Sequence, residues 1–335
     1  MSRPRVFTQR PRGCGGLLAL LLLAMTAGAG AQGNWQPTRP VELVVGTGPG
    51  SAPDSTARLI QEVLRAKKLT TTPVTVMNRP GGGGALGWNY LNSRAGDAHY
   101  IMLAAGNLSV AHLTGAATIG ERDLTIIAML FHEYVALSVR TESPLKSGRE
   151  LLDKLKADPA SASLAVSSVA GSTTHIAAAF ALKAGGVDLK KLRTVVFDTS
   201  GKSISAALGG HVDVAASSLT EALGHARGGR TRILGYTAPR RLGGELAKIP
   251  TWREQGADMD FSNYRGIAGP KGMTAAQLAY WEQVLAELDR DERWRADLEK
   301  NLMDRDYQSS VAARRFLERI AVPIRATLDE LGLLK

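Results

Sequence analysis

The sequence predicts an α/β fold in two lobes, built from parallel strands whose faces are covered by helices. Two observations lead there. Short β-branched runs alternate with segments of helical period along most of the chain, and the runs end in turns rich in Gly, Ser, Thr or Asn. Of 335 residues, about 300 follow a leader-like start, enough to bury a core in each lobe without disulfides.

The start is set apart by its composition. Arg3, Arg5, Arg10 and Arg12 precede an apolar run over residues 17–25, and small residues follow up to Ala29-Gly30-Ala31. That order is the order of a secretory signal peptide, so residues 1–31 are expected to be removed, leaving Gln32 at the new end. The apolar run falls short of the about 20 residues a spanning helix needs, which disfavours an uncleaved anchor. Cys14, the one cysteine, lies within this leader. A mature chain without it has no disulfide, no cysteine nucleophile and no cysteine-based metal site. Its formal charge falls from +10 to +6 because four arginines leave. The remaining cations are scattered and aromatics make up only 5% of the chain, unlike the basic aromatic stripe of a nucleic-acid binder.

The elements follow in order. Residues 41–45 read as a strand stopped by Gly46-Thr47-Gly48-Pro49-Gly50, and Asp54 can cap a helix that places Leu59, Ile60, Val63 and Leu64 on one face. A strand over 74–77 ends in Asn78-Arg79-Pro80-Gly81-Gly82-Gly83-Gly84, before a helix carrying Leu86, Trp88 and Leu91. Residues 100–104 lead into Gly106-Asn107. Residues 164–166 lead into Gly171-Ser172-Thr173-Thr174 and an Ala-rich helix over 175–183. Residues 195–197 lead into Asp198-Thr199-Ser200-Gly201, residues 212–216 into Ser217-Ser218, and 233–236 form one more strand. From Thr274 the tail is helical. Crossings between lobes are expected near 130–137 and 236–241. This makes 35–135 with 238–335 one lobe, and 136–237 the other.

Glycine- and hydroxyl-rich turns at helix starts offer free N–H groups and the positive end of the helix dipole to an anion. Any one of them could be only a tight turn. Their shared place after strands, where open α/β sheets hold ligands, points to a site for carboxylate or phosphate oxygens. Catalysis has no comparable support. Gly46, Gly48 and Gly50 lack the dinucleotide spacing, no P-loop or G-x-S-x-G run occurs, and the six histidines form no H-x-x-x-H or H-E-x-x-H pair. No catalytic residue, metal or cofactor is therefore expected. His175 reads equally as a ligand contact or a packed side chain, and Asp54 as a helix cap before a general acid.

Several segments match a known family in order: residues 49–58, 78–84, Ala95-Gly96-Asp97, 171–175, 208–213, 249–256 and 264–272. The chain resembles the extracytoplasmic solute receptors of tripartite tricarboxylate transporters, the TctC-like or Bug-type proteins, over almost its whole mature length. The resemblance implies a type II periplasmic-binding-protein fold, two α/β lobes joined by crossing strands and closing on a carboxylated ligand. It also implies a monomer that delivers its ligand to a permease of one large and one small membrane subunit. Carried over by position, the ligand residues are Pro49, Gly50, Ser51 and Asp54, then Gly82, Gly83 and Gly84, with Asn107 at the same rim. The second lobe adds Ser172, Thr173 and His175, then Asp198, Ser200 and Gly201, with Ser218. Pro53 removes one N–H that the family's first loop would offer. A di- or tricarboxylate is the expected ligand, citrate the favoured case. The competing functions are a receptor that signals to a membrane partner and an exported α/β hydrolase.

Overall fold

Two sheets, each joined to the other by strands that pass between them, organise the chain from residue 36 onward. The structure is a computed structural model that describes residues 1–2, 34–167, 169–259 and 261–335. The expected cleavage point and nearly all of the leader lie outside these residues. Among the described residues, no helix is long and apolar enough to cross a membrane.

The first half runs β1 (Val41–Val45), α1 (Ala52–Ala66), β2 (Val74–Asn78), α2 (Ala85–Asn92), β3 (Tyr100–Ala105), α3 (Asn107–Leu113) and β4 (Leu124–Glu133). Next come β5 (Val135–Arg140), α4 (Gly148–Ala157), β6 (Ser163–Ser167), α5 (Thr173–Ala184), β7 (Arg193–Phe197), α6 (Ser200–Leu208), β8 (Val214–Ser218), α7 (Leu219–Arg227) and β9 (Thr231–Tyr236). The chain ends with β10 (Asn263–Pro270), α8 (Ala275–Arg290), α9 (Glu292–Lys300), β11 (Asp304–Ser309) and α10 (Ser310–Glu330). Helix α1 shows how local sequence sets an element. Its stripe buries Ala57, Ile60, Val63 and Leu64, Pro53 sits in the first turn, and Arg65 closes the last. Its cap is Ser51 and not Asp54, because the helix starts three residues earlier than an Asp54 cap would place it.

The first sheet has the order β11-β4-β10-β3-β1-β2 and the second β7-β6-β8-β5-β9. Strand β1 is parallel to β2 and β3, and β6 to β7 and β8, as expected. The rest is antiparallel, which corrects the all-parallel expectation. The crossings supply the reason. Only Tyr134 separates β4 from β5, and β5 enters the second sheet with Val135 opposite Ser218, the last residue of β8. Strand β10 likewise enters the first sheet with Arg265 opposite Ala105, the last residue of β3. A strand that enters at the carboxyl ends of its neighbours must run against them. Both crossings therefore meet the sheets at the rims that carry the Gly/Ser/Thr turns.

Two stretches attributed to the first lobe pack elsewhere. Trp252, Ala257, Met259 and Phe261 are buried in the core of the second sheet, and Thr251 bridges to Tyr236 at the end of β9. Gln255 fastens this segment, accepting from Gly148 N (2.7 Å) and donating to the Leu234 carbonyl (2.9 Å). The return to the first sheet thus comes at β10. Helix α10 serves both cores: Ala313 and Leu317 pack with Met129 and Tyr264, whereas Ile324 and Leu328 join the second core. Pro323 lies between the two halves and cannot donate the helical hydrogen bond there.

Candidate ligand-binding site

The ends of β1, β2 and β3 bring three loops together. Ser51 caps α1 through its Oγ, which accepts from Asp54 N (3.4 Å), donates to the Gly48 carbonyl (2.8 Å) and lies 2.6 Å from Thr47 Oγ1. Asp54 turns inward and is 2% exposed. Its carboxylate accepts from Gly50 N (2.9 Å), Arg58 Nε (2.9 Å) and Asn78 Nδ2 (3.0 Å). The Arg58 hydrogen bond first, then the Gly50 N–H, hold its pKa down at about 2. Asp54 is therefore the brace of this loop, its oxygens engaged by the protein itself. Asn78 ties the same loop to β2, since its Nδ2 also reaches the Thr47 carbonyl (3.0 Å).

Gly81, Gly82, Gly83 and Gly84 all have positive φ, from +56 to +133°. Only glycine takes such a run at no steric cost, and it lets backbone come close to backbone. A Cβ on Gly46 would lie 3.1 Å from Gly84 Cα, so the first two loops touch. Asn107 joins them by donating from Nδ2 to the Gly83 carbonyl (2.8 Å). The Arg79 guanidinium stacks 4.4 Å over the Tyr90 ring. Pro49 and Gly50 are exposed on the turn before α1, and a Cβ on Gly50 or Gly83 would meet no protein atom within 4 Å.

The second rim is a chain of hydroxyls. Ser167 Oγ lies 3.1 Å from Thr174 Oγ1, which is 3.1 Å from Ser172 Oγ, and Ser200 Oγ donates to Ser167 Oγ (3.1 Å). Ser172 caps α5 by accepting from His175 N (3.4 Å), and Ser218 caps α7 by accepting from Glu221 N (3.3 Å). Thr173 is half-buried in the first turn of α5. His175 is a packed side chain here: it is 5% exposed and its Nδ1 accepts from Gly171 N (2.9 Å). Burial lowers its pKa to about 4, so the ring is neutral at pH 7. Gly201 faces Glu221, whose Oε1 would be 3.8 Å from a Cβ there. Asp198 is not gathered in. Its side chain is 81% exposed and pairs with Lys202 (2.5 Å) one turn along α6.

The rims meet at the crossings. A Cβ on Gly106 would lie 3.5 Å from Asn263 Oδ1; Asn263 Nδ2 (2.8 Å) and Arg265 Nη2 (2.7 Å) both donate to Glu133, beside Tyr134, whose carbonyl accepts from Leu219 N (2.9 Å). Sequence reading missed Ser167, Thr174, Glu221 and the Glu133–Arg265 pair. For Ser167 and Thr174 the signal was available, a hydroxyl at a strand end and a second Thr in the turn. It also missed a Ser–His–Asp chain at the crossing: Ser262 Oγ lies 2.6 Å from His132 Nδ1, and His132 Nε2 lies 2.7 Å from Asp306. The ring is buried against Phe316 and fastens β4 to β11.

A cavity of about 1060 Å³ lies elsewhere, between α3, the turn at 121–123 and α10, lined by His112, Glu121, Leu317, Arg325 and Asp329 among others. None of the expected ligand residues lines it, and its charges are mixed. The turns that carry the expected ligand residues lie instead at the strand ends of the two sheets. Among the described residues, no three His, Cys, Asp or Glu side chains cluster as metal ligands.

Comparison with known proteins agrees with this architecture. The family model for the tripartite tricarboxylate transporter family receptor matches residues 56–333. A protein from the gbd 5′ region of Cupriavidus necator is 27% identical over 321 residues, covering 95% of this chain and 94% of that one. A TctC solute-binding protein from Polaromonas, solved without ligand, is 25% identical with a TM-score of 0.74, over 88% of this chain and 99% of that one. An R. palustris protein solved with adipate shares the fold at 20% identity and a TM-score of 0.73, over 88% and 98% of the two chains. The fold is the type II periplasmic-binding-protein fold, and the role it serves is that of a solute receptor and not an enzyme. By its family match over most of its length, its two sheets and its crossing strands, this chain belongs to the periplasmic receptors of the tripartite tricarboxylate transporter family.

Proposed function

We propose that the protein captures a small di- or tricarboxylate, citrate-like in the favoured case, between the two rims. It passes this ligand to a permease of one large and one small membrane subunit, after export with residues 1–31 removed. In this reading each lobe is built on one sheet, and the lobes close on the ligand. The observation that carries it is the convergence of the turns after β1, β2 and β3 on the first rim, with a chain of hydroxyls at the strand ends of the second sheet. Backbone N–H groups at helix starts, with Ser and Thr hydroxyls, meet the ligand's charge without a metal. The adipate held by the R. palustris protein, a dicarboxylate on the same fold, supports the ligand class.

A thermal-shift panel of citrate, malate, succinate and adipate tests it. A ligand at 100 times its dissociation constant adds about 2.7 kcal/mol, or roughly 4–5 °C in a chain of this size. The shift should survive a chelator. If no carboxylate moves the melt, the reading is wrong. A narrower expectation concerns Ser172. Hydrogen bonds to an ionised group are worth about 1.5–3 kcal/mol, so Ser172→Ala should weaken binding about tenfold to hundredfold. Loss of the cap should cost the free protein only about 1 kcal/mol. Titration calorimetry beside a ligand-free melt separates the two effects.

A further inference from the structure

Glu221 is an acidic side chain placed in a rim otherwise made of neutral donors. Its backbone N–H is capped by Ser218 (3.3 Å), while its side chain leans across to the next loop, with Oε1 beside Gly201 and hydrogen-bonded by Ser200. The Ser200 hydroxyl has one proton, and it is shared with Ser167 Oγ at 3.1 Å. A carboxylate has about four acceptor positions, so the rim leaves most of them unfilled. Lys202, the nearby cation on α6, is taken by Asp198 (2.5 Å). Among the described residues, no Lys or Arg pairs with the Glu221 carboxylate, and burial raises its pKa against the pull of His225 and Ser200.

A half-buried carboxylate facing an anion site repels a bare carboxylate and is satisfied by a donor. On the reading that the rims hold a carboxylated ligand, we infer that Glu221 is a specificity-determining residue, selecting acids that also carry a hydroxyl or ammonium group. The unsubstituted diacid of the same length is disfavoured, because it leaves Glu221 without a donor.

The test uses matched acids of one chain length: succinate, malate and aspartate, then glutarate, 2-hydroxyglutarate and glutamate. Dissociation constants are measured for the full mature protein and for Glu221→Gln and Glu221→Asp, each with a ligand-free melt. The parent should prefer a substituted acid over its unsubstituted partner by about tenfold or more, about 1.4 kcal/mol. Glu221→Gln should erase most of that ratio by improving the unsubstituted acid, and Glu221→Asp, which keeps the charge, should retain its sign. Malate against aspartate then tells hydroxyl from ammonium. Ratios that are equal in the parent and in Glu221→Gln overturn the inference, as does a parent that prefers the unsubstituted acid. If no acid of either series binds the parent, this inference falls, while the citrate and adipate arms of the melt panel decide the carboxylate reading separately.

Discussion

Asp54→Ala should lower the melting temperature by about 2–6 °C and weaken ligand binding with it. The carboxylate is 2% exposed and accepts from three groups, Gly50 N, Asn78 Nδ2 and Arg58 Nε. Arg58 is 54% exposed and can return to water, so its loss is discounted. Gly50 is exposed on its turn and its N–H can likewise return to water, whereas Asn78 is half-buried and its donor left unpaired costs about 1–3 kcal/mol. At roughly 2 °C for each kcal/mol in a chain of this size, that is the expected shift. The pH dependence carries the same signature. Because the folded-state pKa is depressed to about 2, the contribution is full above the ordinary value of 3.8 and is lost as pH falls through about 2. The gap between parent and variant should stay constant at neutral pH and narrow below about pH 4. Melts from pH 7 to pH 2 decide this, and a gap that widens on acidification would rule out Asp54 as the brace.

Gly83→Val should abolish most ligand binding, by a factor of about 100 or more, while leaving a folded protein. Its φ of +65° is a left-handed conformation that costs a β-branched residue about 1–2 kcal/mol. A Cβ there meets no protein atom within 4 Å, so the isopropyl group would occupy open space beside the loop, which the proposed ligand needs. Gly84→Val supplies the contrast. Its φ is +110° and its Cβ would lie 2.9 Å from the Trp88 ring, a buried core side chain, so that variant should lose stability first. Dissociation constants for the best acid of the panel, with circular-dichroism melts, separate the two. Unchanged affinity in a folded Gly83→Val protein would remove the second loop from the site.

The sequence alone determined what depends on neighbours along the chain. Strand and helix periods, Ser172 as a candidate at the start of α5, and the runs at 46–50 and 81–84 are local features, set by dihedral preference and by the apolar stripe each helix must bury. Tertiary structure decided what depends on partners far along the chain. Asp54 had the look of a cap, yet packing against β2 brings Asn78, 24 residues away, onto its carboxylate and makes it a brace. Asp198 had the look of a rim residue, yet a cation one turn along α6 draws it into solvent. The pairing of Ser167 with Ser200 and the chain from Ser262 through His132 to Asp306 span 33 to 174 residues, beyond any period a sequence can display. The antiparallel entry of β5 and β10, and the sharing of α10 by two cores, follow from where the crossings meet the sheets. Which side chains share a rim is settled only when both sheets bury their faces, because burial fixes the depth and direction of each strand end.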